Sequence, residues 1–158
     1  MSLVHLARHG HVHNPDDVVY ARLPGFGLSA MGRMQAAALA SRLETRQLTR
    51  IVASPLQRAV ETALPVGADH GLTVEIDPDL SEWAMLDEWA GLGWSDLPVR
   101  FPRQFEAFMS TPDRLSGPES LADLAARMTA LHCNFMDGGA TSTNDAVAAL
   151  SLYHHNAA

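Results

Sequence analysis

Lysine is absent from the 158 residues: all eleven basic residues are arginine, set against eighteen acidic ones for a formal net charge of −7. That balance excludes the basic footprint with which proteins hold nucleic acid or an anionic membrane. Any anionic ligand must be gripped locally by arginine, whose planar guanidinium binds two oxygens at once. A compositional bias would account for the missing lysine equally well.

Cysteine is nearly absent too. Cys133 stands alone, so no disulfide forms within the chain and an oxidising compartment gains no support; a buried structural thiol is expected. No apolar run approaches the roughly 20 residues needed to span a bilayer. No basic, then apolar leader opens the chain, so the expected location is cytoplasmic. Charged residues make up only 18% and apolar residues 47%, which excludes the charge-dense composition of disorder. One compact domain over residues 1–158 is expected, burying about two-thirds of its extended surface.

What is present reads as an α/β chain. Ser2 to Ala7 is a short apolar run of β propensity that ends at Arg8-His9-Gly10, a buried strand with chemistry at its tip. Residues His11 to Gly27, rich in Pro, Gly, Asp and Asn, form a loop. Ser29 then caps a helix from about Ala30 to Leu48, with Met31, Met34, Ala38 and Leu43 near the face expected to cover a sheet. Arg50 to Ala53 is a second strand, and Ser54-Pro55 supplies an N-cap and a first helical residue.

Leu72 to Ile76 is a third strand. Asp77 to Ser116, with three Trp, several Pro and little period, is an insertion expected to cover the active site. Ser120 opens a helix with Asp123 at the capping-box position, running to about Phe135. A loop from Asp137 to Asn144 leads to a last buried strand, Ala146 to Tyr153, followed by His154-His155. This order fits a three-layer α/β/α sandwich with a mostly parallel sheet. The chain stops where another helix would be expected, so a truncated C-terminal part is one open reading of the tail.

In open parallel sheets, ligands gather beyond the carboxyl ends of the strands. Arg8-His9-Gly10 follows the first strand and Arg58 begins the helix after the second, so the two arginines can reach one anion near a positive helix end. Glu82 and His154 follow later strands. Two Arg, two His and one Glu suffice for phosphoryl transfer through a phosphohistidine. One imidazole attacks phosphorus, the guanidinium groups offset charge, and the carboxyl serves as acid and then base.

These residues resemble the histidine phosphatase superfamily, which includes cofactor-dependent phosphoglycerate mutases, almost from end to end. The motifs are Leu6 to Gly10, Leu28 to Ala36, Ser54 to Ala63, Leu80-Ser81-Glu82 with Trp89-Ala90-Gly91, and Gly117 to Ser120 with Arg127. The resemblance implies that His9 is the phosphorylated nucleophile, that Arg8 and Arg58 bind phosphoryl oxygens, and that Glu82 is the proton donor. It further implies a small phosphorylated substrate, with no metal and no cofactor.

The chain departs from the family in places. His11 stands where Glu or Gln usually follows Arg-His-Gly. Asn14, one residue short of the usual spacing, is a candidate for a phosphoryl contact. Trp89-Ala90-Gly91 lies one position further from Glu82 than usual. Ser151 to Asn156 only approximates the family's last motif, so the second active-site histidine is His154, His155 or neither. Loss of a last helix would leave a sheet face uncovered, which makes a homodimer a reasonable expectation.

Phosphatase is favoured over mutase because the insertion carries only Arg100, Arg103 and Arg114 as basic groups, with no dedicated cluster near Glu82 for a second anionic group, although loop residues such as Arg22 could help. A catalytically weak phosphate-binding domain is the further alternative. The alternation of His9, His11 and His13 also allows a metal site, although Gly10 and Asn14-Pro15 argue for a loop there.

Overall fold

The computed structural model of the protein describes residues 3–137 and 145–150. Four strands form one sheet: β1 (Leu3–Arg8), β2 (Leu48–Ala53), β3 (Val74–Ile76) and β4 (Asp145–Leu150). Their order is β1-β4-β2-β3, and every pairing is parallel. The last strand therefore inserts between the first two, with Ala7 level with Ala149 and Arg8 level with Leu150. All strands end on the same side, where the loops that carry the candidate residues collect.

Helices α1 (Ala30–Leu43) and α2 (Gln57–His70) pack on each other and cover one face of the sheet. Their core joins Ala40, Leu43, Ala63 and Val66 to Ile51 and Ala53 of β2. Val52, which alternation turns to the opposite face, packs with Leu131 and Met128 of α5 (Leu121–Asp137). Helices thus flank both faces, giving the expected three layers.

Two details of α1 differ from the sequence reading. It ends at Leu43 instead of Leu48, and its buried residues are Gly32, Ala36, Ala40 and Leu43, with Met31 and Met34 60% and 73% exposed. Hydrophobicity pointed to the methionines, but α1 lies close against its neighbours and small residues suit that face. Ser29 caps it as expected, its Oγ accepting from the Gly32 N–H at 3.1 Å. Ser120 and Asp123 likewise form the expected capping box on α5.

Helix α2 begins two residues beyond the expected start. Leu56 is its N-cap, without a side-chain bond, and Ser54 is buried before it, its Oγ accepting from the Leu56 N–H at 3.3 Å. Cys133 is exposed, which corrects the expectation of a buried thiol.

The segment from Asp77 to Ser116 is more regular than its sequence suggests. Short 3-10 turns alternate with two helices, α3 (Leu97–Arg100) and α4 (Pro102–Ser110). Trp89, fully buried, packs edge-on to Phe108 and against Phe101 and Phe105. The same cluster takes in Val19 and Ala21 of the loop after β1. Val19 exchanges backbone hydrogen bonds with Gly91 and Leu92, so the insertion and that loop form one unit beside the strand ends.

Candidate active site

His9 leaves the tip of β1 in a turn that is tightly confined. A Cβ on Gly10 would lie 2.5 Å from the Gly32 carbonyl oxygen, so only glycine lets the turn approach the start of α1. Thr62 fixes the turn from α2: its Oγ1 accepts from the Gly10 N–H at 3.0 Å and donates to the Arg58 carbonyl at 2.7 Å. Gln35 accepts from the His11 N–H at 2.7 Å.

The imidazole of His9 is buried, with Nδ1 2.7 Å from the Gly10 carbonyl oxygen. A carbonyl only accepts, so Nδ1 carries the proton and Nε2 keeps its lone pair. Nε2 has no hydrogen-bond partner among the described residues. Burial drives the pKa of His9 from an ordinary 6.5 down to about 4; the Gly10 carbonyl opposes this, and the positive charges of Arg58 and Arg8 add to it. The ring is therefore neutral throughout the physiological range.

Arg58 is 1% exposed, far from a solvated arginine on a first helical turn. One amino group donates to the Ala21 carbonyl at 2.7 Å and lies 3.6 Å from a carboxylate oxygen of Glu82, which is itself buried. The guanidinium carbon sits 4.7 Å from the centre of the Tyr20 ring, which in turn stacks on Phe26. Burial works against the charge on Arg58, and Glu82 is the largest opposing influence. Burial also raises the pKa of Tyr20.

Glu82 is held through its neighbours. Its carboxylate accepts from the Trp83 N–H at 3.2 Å. Glu119 accepts from the Ala84 N–H at 3.0 Å, and its own carbonyl accepts from the Trp83 indole at 3.0 Å. Arg127 pairs with Glu119 at 2.8 Å and also donates to the Asp79 and Ser81 carbonyls. The Gly117 to Ser120 motif and Arg127 thus brace the stretch that carries Glu82.

A cleft of about 570 Å³ opens on His9, with Arg8, His11, Asn14, Asp17 and Tyr20 in its walls; Arg58 and Glu82 are not among its lining residues. That volume suits a small molecule. Asn14 lines the cleft, but its amide donates to the Val18 carbonyl at 2.9 Å and accepts from the Val18 N–H at 3.2 Å. His11 turns to the Ser29 hydroxyl at 2.8 Å, and no group of three metal-ligating side chains converges among the described residues. His154 and His155 lie outside the described residues. No helix among those residues is long and apolar enough to cross a membrane.

Nothing in the local sequence singles out Tyr20 or the Ala21 carbonyl, because an aperiodic loop carries no pattern for a contact such as that between Ala21 and Arg58, 37 residues apart. Thr62, Gln35, Glu119 and Arg127 stood inside recognised motifs, without an assigned role.

The family profile for the histidine phosphatase superfamily (branch 1) matches residues 4–148. The chain belongs to this superfamily. An uncharacterized protein of Mycobacterium tuberculosis strain H37Rv is 50% identical to this chain over 126 residues, 80% of this chain and 62% of that protein. Glucosyl-3-phosphoglycerate phosphatase of the same organism is 39% identical over 101 residues, 63% of this chain and 45% of that one. The structure of mycobacterial glucosyl-3-phosphoglycerate phosphatase with VO3 has a TM-score of 0.78 at 30% identity, over 92% of this chain and 74% of that chain. Bacillus stearothermophilus YhfR shares the fold, with a TM-score of 0.82 at 24% identity over 93% and 73% of the two chains. The chain spans 62% of the length of the first of these relatives.

Proposed function

We propose that this chain is a metal-independent phosphatase that hydrolyses a small phosphate ester through a phosphohistidine on His9. The observation that carries the reading is the state of the His9 ring: Nδ1 is held by the Gly10 carbonyl, and Nε2 is bare beside Arg8 and Arg58. A neutral imidazole with a free lone pair is a nucleophile, and two guanidinium groups favour the charge that develops on the phosphoryl oxygens.

In the first step Nε2 of His9 attacks phosphorus, the bond from phosphorus to the ester oxygen breaks, and Glu82 gives its proton to the departing alkoxide. Water then attacks the phosphohistidine while the Glu82 carboxylate takes a proton from it, releasing inorganic phosphate and restoring His9. Arg8 and Arg58 hold the phosphoryl oxygens in both steps. Asn14 would have to release Val18 to join them, so its part is to shape the loop. The named phosphatase among the relatives supports hydrolysis over mutase transfer.

Hydrolysis of p-nitrophenyl phosphate tests the reading. EDTA should leave the rate unchanged, and His9→Ala should lower it by orders of magnitude. A rate lost to EDTA and restored by zinc, or a His9→Ala enzyme as fast as the wild type, would overturn it.

A further inference from the structure

Resting on that phosphatase reading, we infer that Arg22 is a specificity-determining residue that binds a carboxylate on the leaving group of the substrate, near Glu82. Arg22 follows a strained turn. Ala21 has a φ of 38°, in the left-handed region that residues other than glycine rarely adopt. Its surroundings hold it there: the Leu23 N–H donates to the Tyr20 carbonyl at 2.7 Å, the Ala21 carbonyl accepts from Arg58, and the Tyr20 ring lies against the Arg58 guanidinium. Strain of this kind persists only where the structure imposes it, and it clusters at functional sites.

The turn sets Arg22 beside the stretch that carries the proton donor. Arg58, which the Ala21 carbonyl meets, lies 3.6 Å from Glu82, and Arg22, the next residue, reaches Asp87 in the 3-10 turn that follows Glu82. Only one edge of the Arg22 guanidinium is used there. Nε donates to Oδ2 of Asp87 at 2.8 Å, and Nη2 donates to the same oxygen. The other edge, Nη1 with the second N–H of Nη2, has no partner among the described residues, and the side chain is 42% exposed. Two parallel N–H groups on such an edge match the two oxygens of a carboxylate. Asp87 thus orients the fork and leaves half of it open.

The hydrogen bonds from Asp87 raise the pKa of Arg22, partial burial opposes them, and the charges of Asp87, Glu119 and Glu82 add to the rise. Arg22 is therefore within electrostatic range of Glu82. A carboxyl that protonates the departing oxygen must lie within hydrogen-bond reach of it, which places the leaving group at Glu82. Arg58, buried at that carboxyl, serves the phosphoryl group; Arg22, at the surface, is placed for a substituent a few atoms further along the leaving group. Asp87 already shares the charge of Arg22, so a singly charged carboxylate suits the open edge better than a doubly charged phosphate. In this solvated position the gain is about 10-fold in kcat/KM.

The test uses two pairs of esters that differ only in a terminal hydroxymethyl group against a carboxylate: glycerol 3-phosphate with 3-phosphoglycerate, and the longer sorbitol 6-phosphate with 6-phosphogluconate. The expected result is a kcat/KM about 10-fold higher for the acid in at least one pair, a ratio that shrinks as salt screens it. In Arg22→Ala the ratio should fall close to one. In Arg22→Lys, which keeps a charge for Asp87 but has no second edge, it should fall nearly as far. Labelling of His9 by each ester is followed in parallel. Neutral esters turned over as fast as the acids or faster in both pairs, with His9 labelled, would overturn the subsite and leave the phosphatase reading standing. A preference for the acid that survives in full in either variant, or a loss that acid and neutral ester share equally in Arg22→Ala, does the same. If no ester is hydrolysed and none labels His9, the phosphatase reading itself fails and the inference with it.

Discussion

The guanidinium of Arg58 lies 4.7 Å from the centre of the Tyr20 ring, with the Ala21 carbonyl accepting from the same arginine at 2.7 Å. Two consecutive residues of one loop thus orient a cation that helix α2 supplies. A cation held over an aromatic face in a desolvated site gains on the order of 2 kcal/mol.

Tyr20→Phe keeps the ring and should keep phosphate affinity within about twofold of the wild type, whereas Tyr20→Ala should weaken it by roughly 10-fold or more. Inhibition by inorganic phosphate measures this directly. Equal weakening in the two variants would assign the effect to the hydroxyl instead of the ring.

Thr62 ties the His9 turn to α2 across 52 residues of sequence. Thr62→Val keeps the shape but strands the buried Gly10 N–H, a loss of about 1–3 kcal/mol. Thr62→Ser keeps the hydroxyl and should lose only about 1 kcal/mol from the missing methyl. Urea denaturation checks the order, and a valine variant as stable as the serine variant would remove the bond from the account.

His9 stays neutral in the folded chain down to about pH 4 and would take up a proton near pH 6.5 once unfolded. Between those values the unfolded state binds more protons, so stability falls as the pH drops through that window, and His9 contributes no change above it. The loss from this residue reaches about 2 kcal/mol by pH 5. An NMR titration of the ring should give a midpoint near 4; a midpoint at the ordinary 6.5 would contradict the buried geometry.

Much of this was legible in the sequence, for reasons that can be named. Alternation and apolar runs marked the strands, and side-chain caps marked α1 and α5, because those signals are local. The start of α2 was displaced because Leu56 caps it without a side-chain bond, so Ser54 was the more visible choice. The face of α1 was misplaced because close packing selected Gly32, Ala36 and Ala40 over bulky methionines. Arg8, His9 and Arg58 were readable as candidates from ordered motifs. The stacking of Tyr20 on Arg58, and the bracing of the Glu82 stretch by Glu119 and Arg127, arise only when distant segments meet.

That bracing can be tested through Arg127, whose guanidinium reaches Glu119, Asp79 and Ser81 together. Lysine cannot reproduce such a fork. Arg127→Lys should therefore lower kcat nearly as far as Arg127→Ala, by about 10-fold or more through displacement of Glu82. Full activity in the lysine variant would show that charge alone suffices.

The central claim is the nucleophile, and trapping the intermediate tests it most directly. The protein is mixed with a phosphate ester, quenched within milliseconds under alkaline conditions that preserve phosphohistidine, and its peptides are mapped by mass. The account predicts a phosphoryl group on the peptide carrying His9, transient in the wild type and missing from His9→Ala. Hydrolysis that proceeds with no phosphoryl adduct, or with the adduct on another residue, would contradict it.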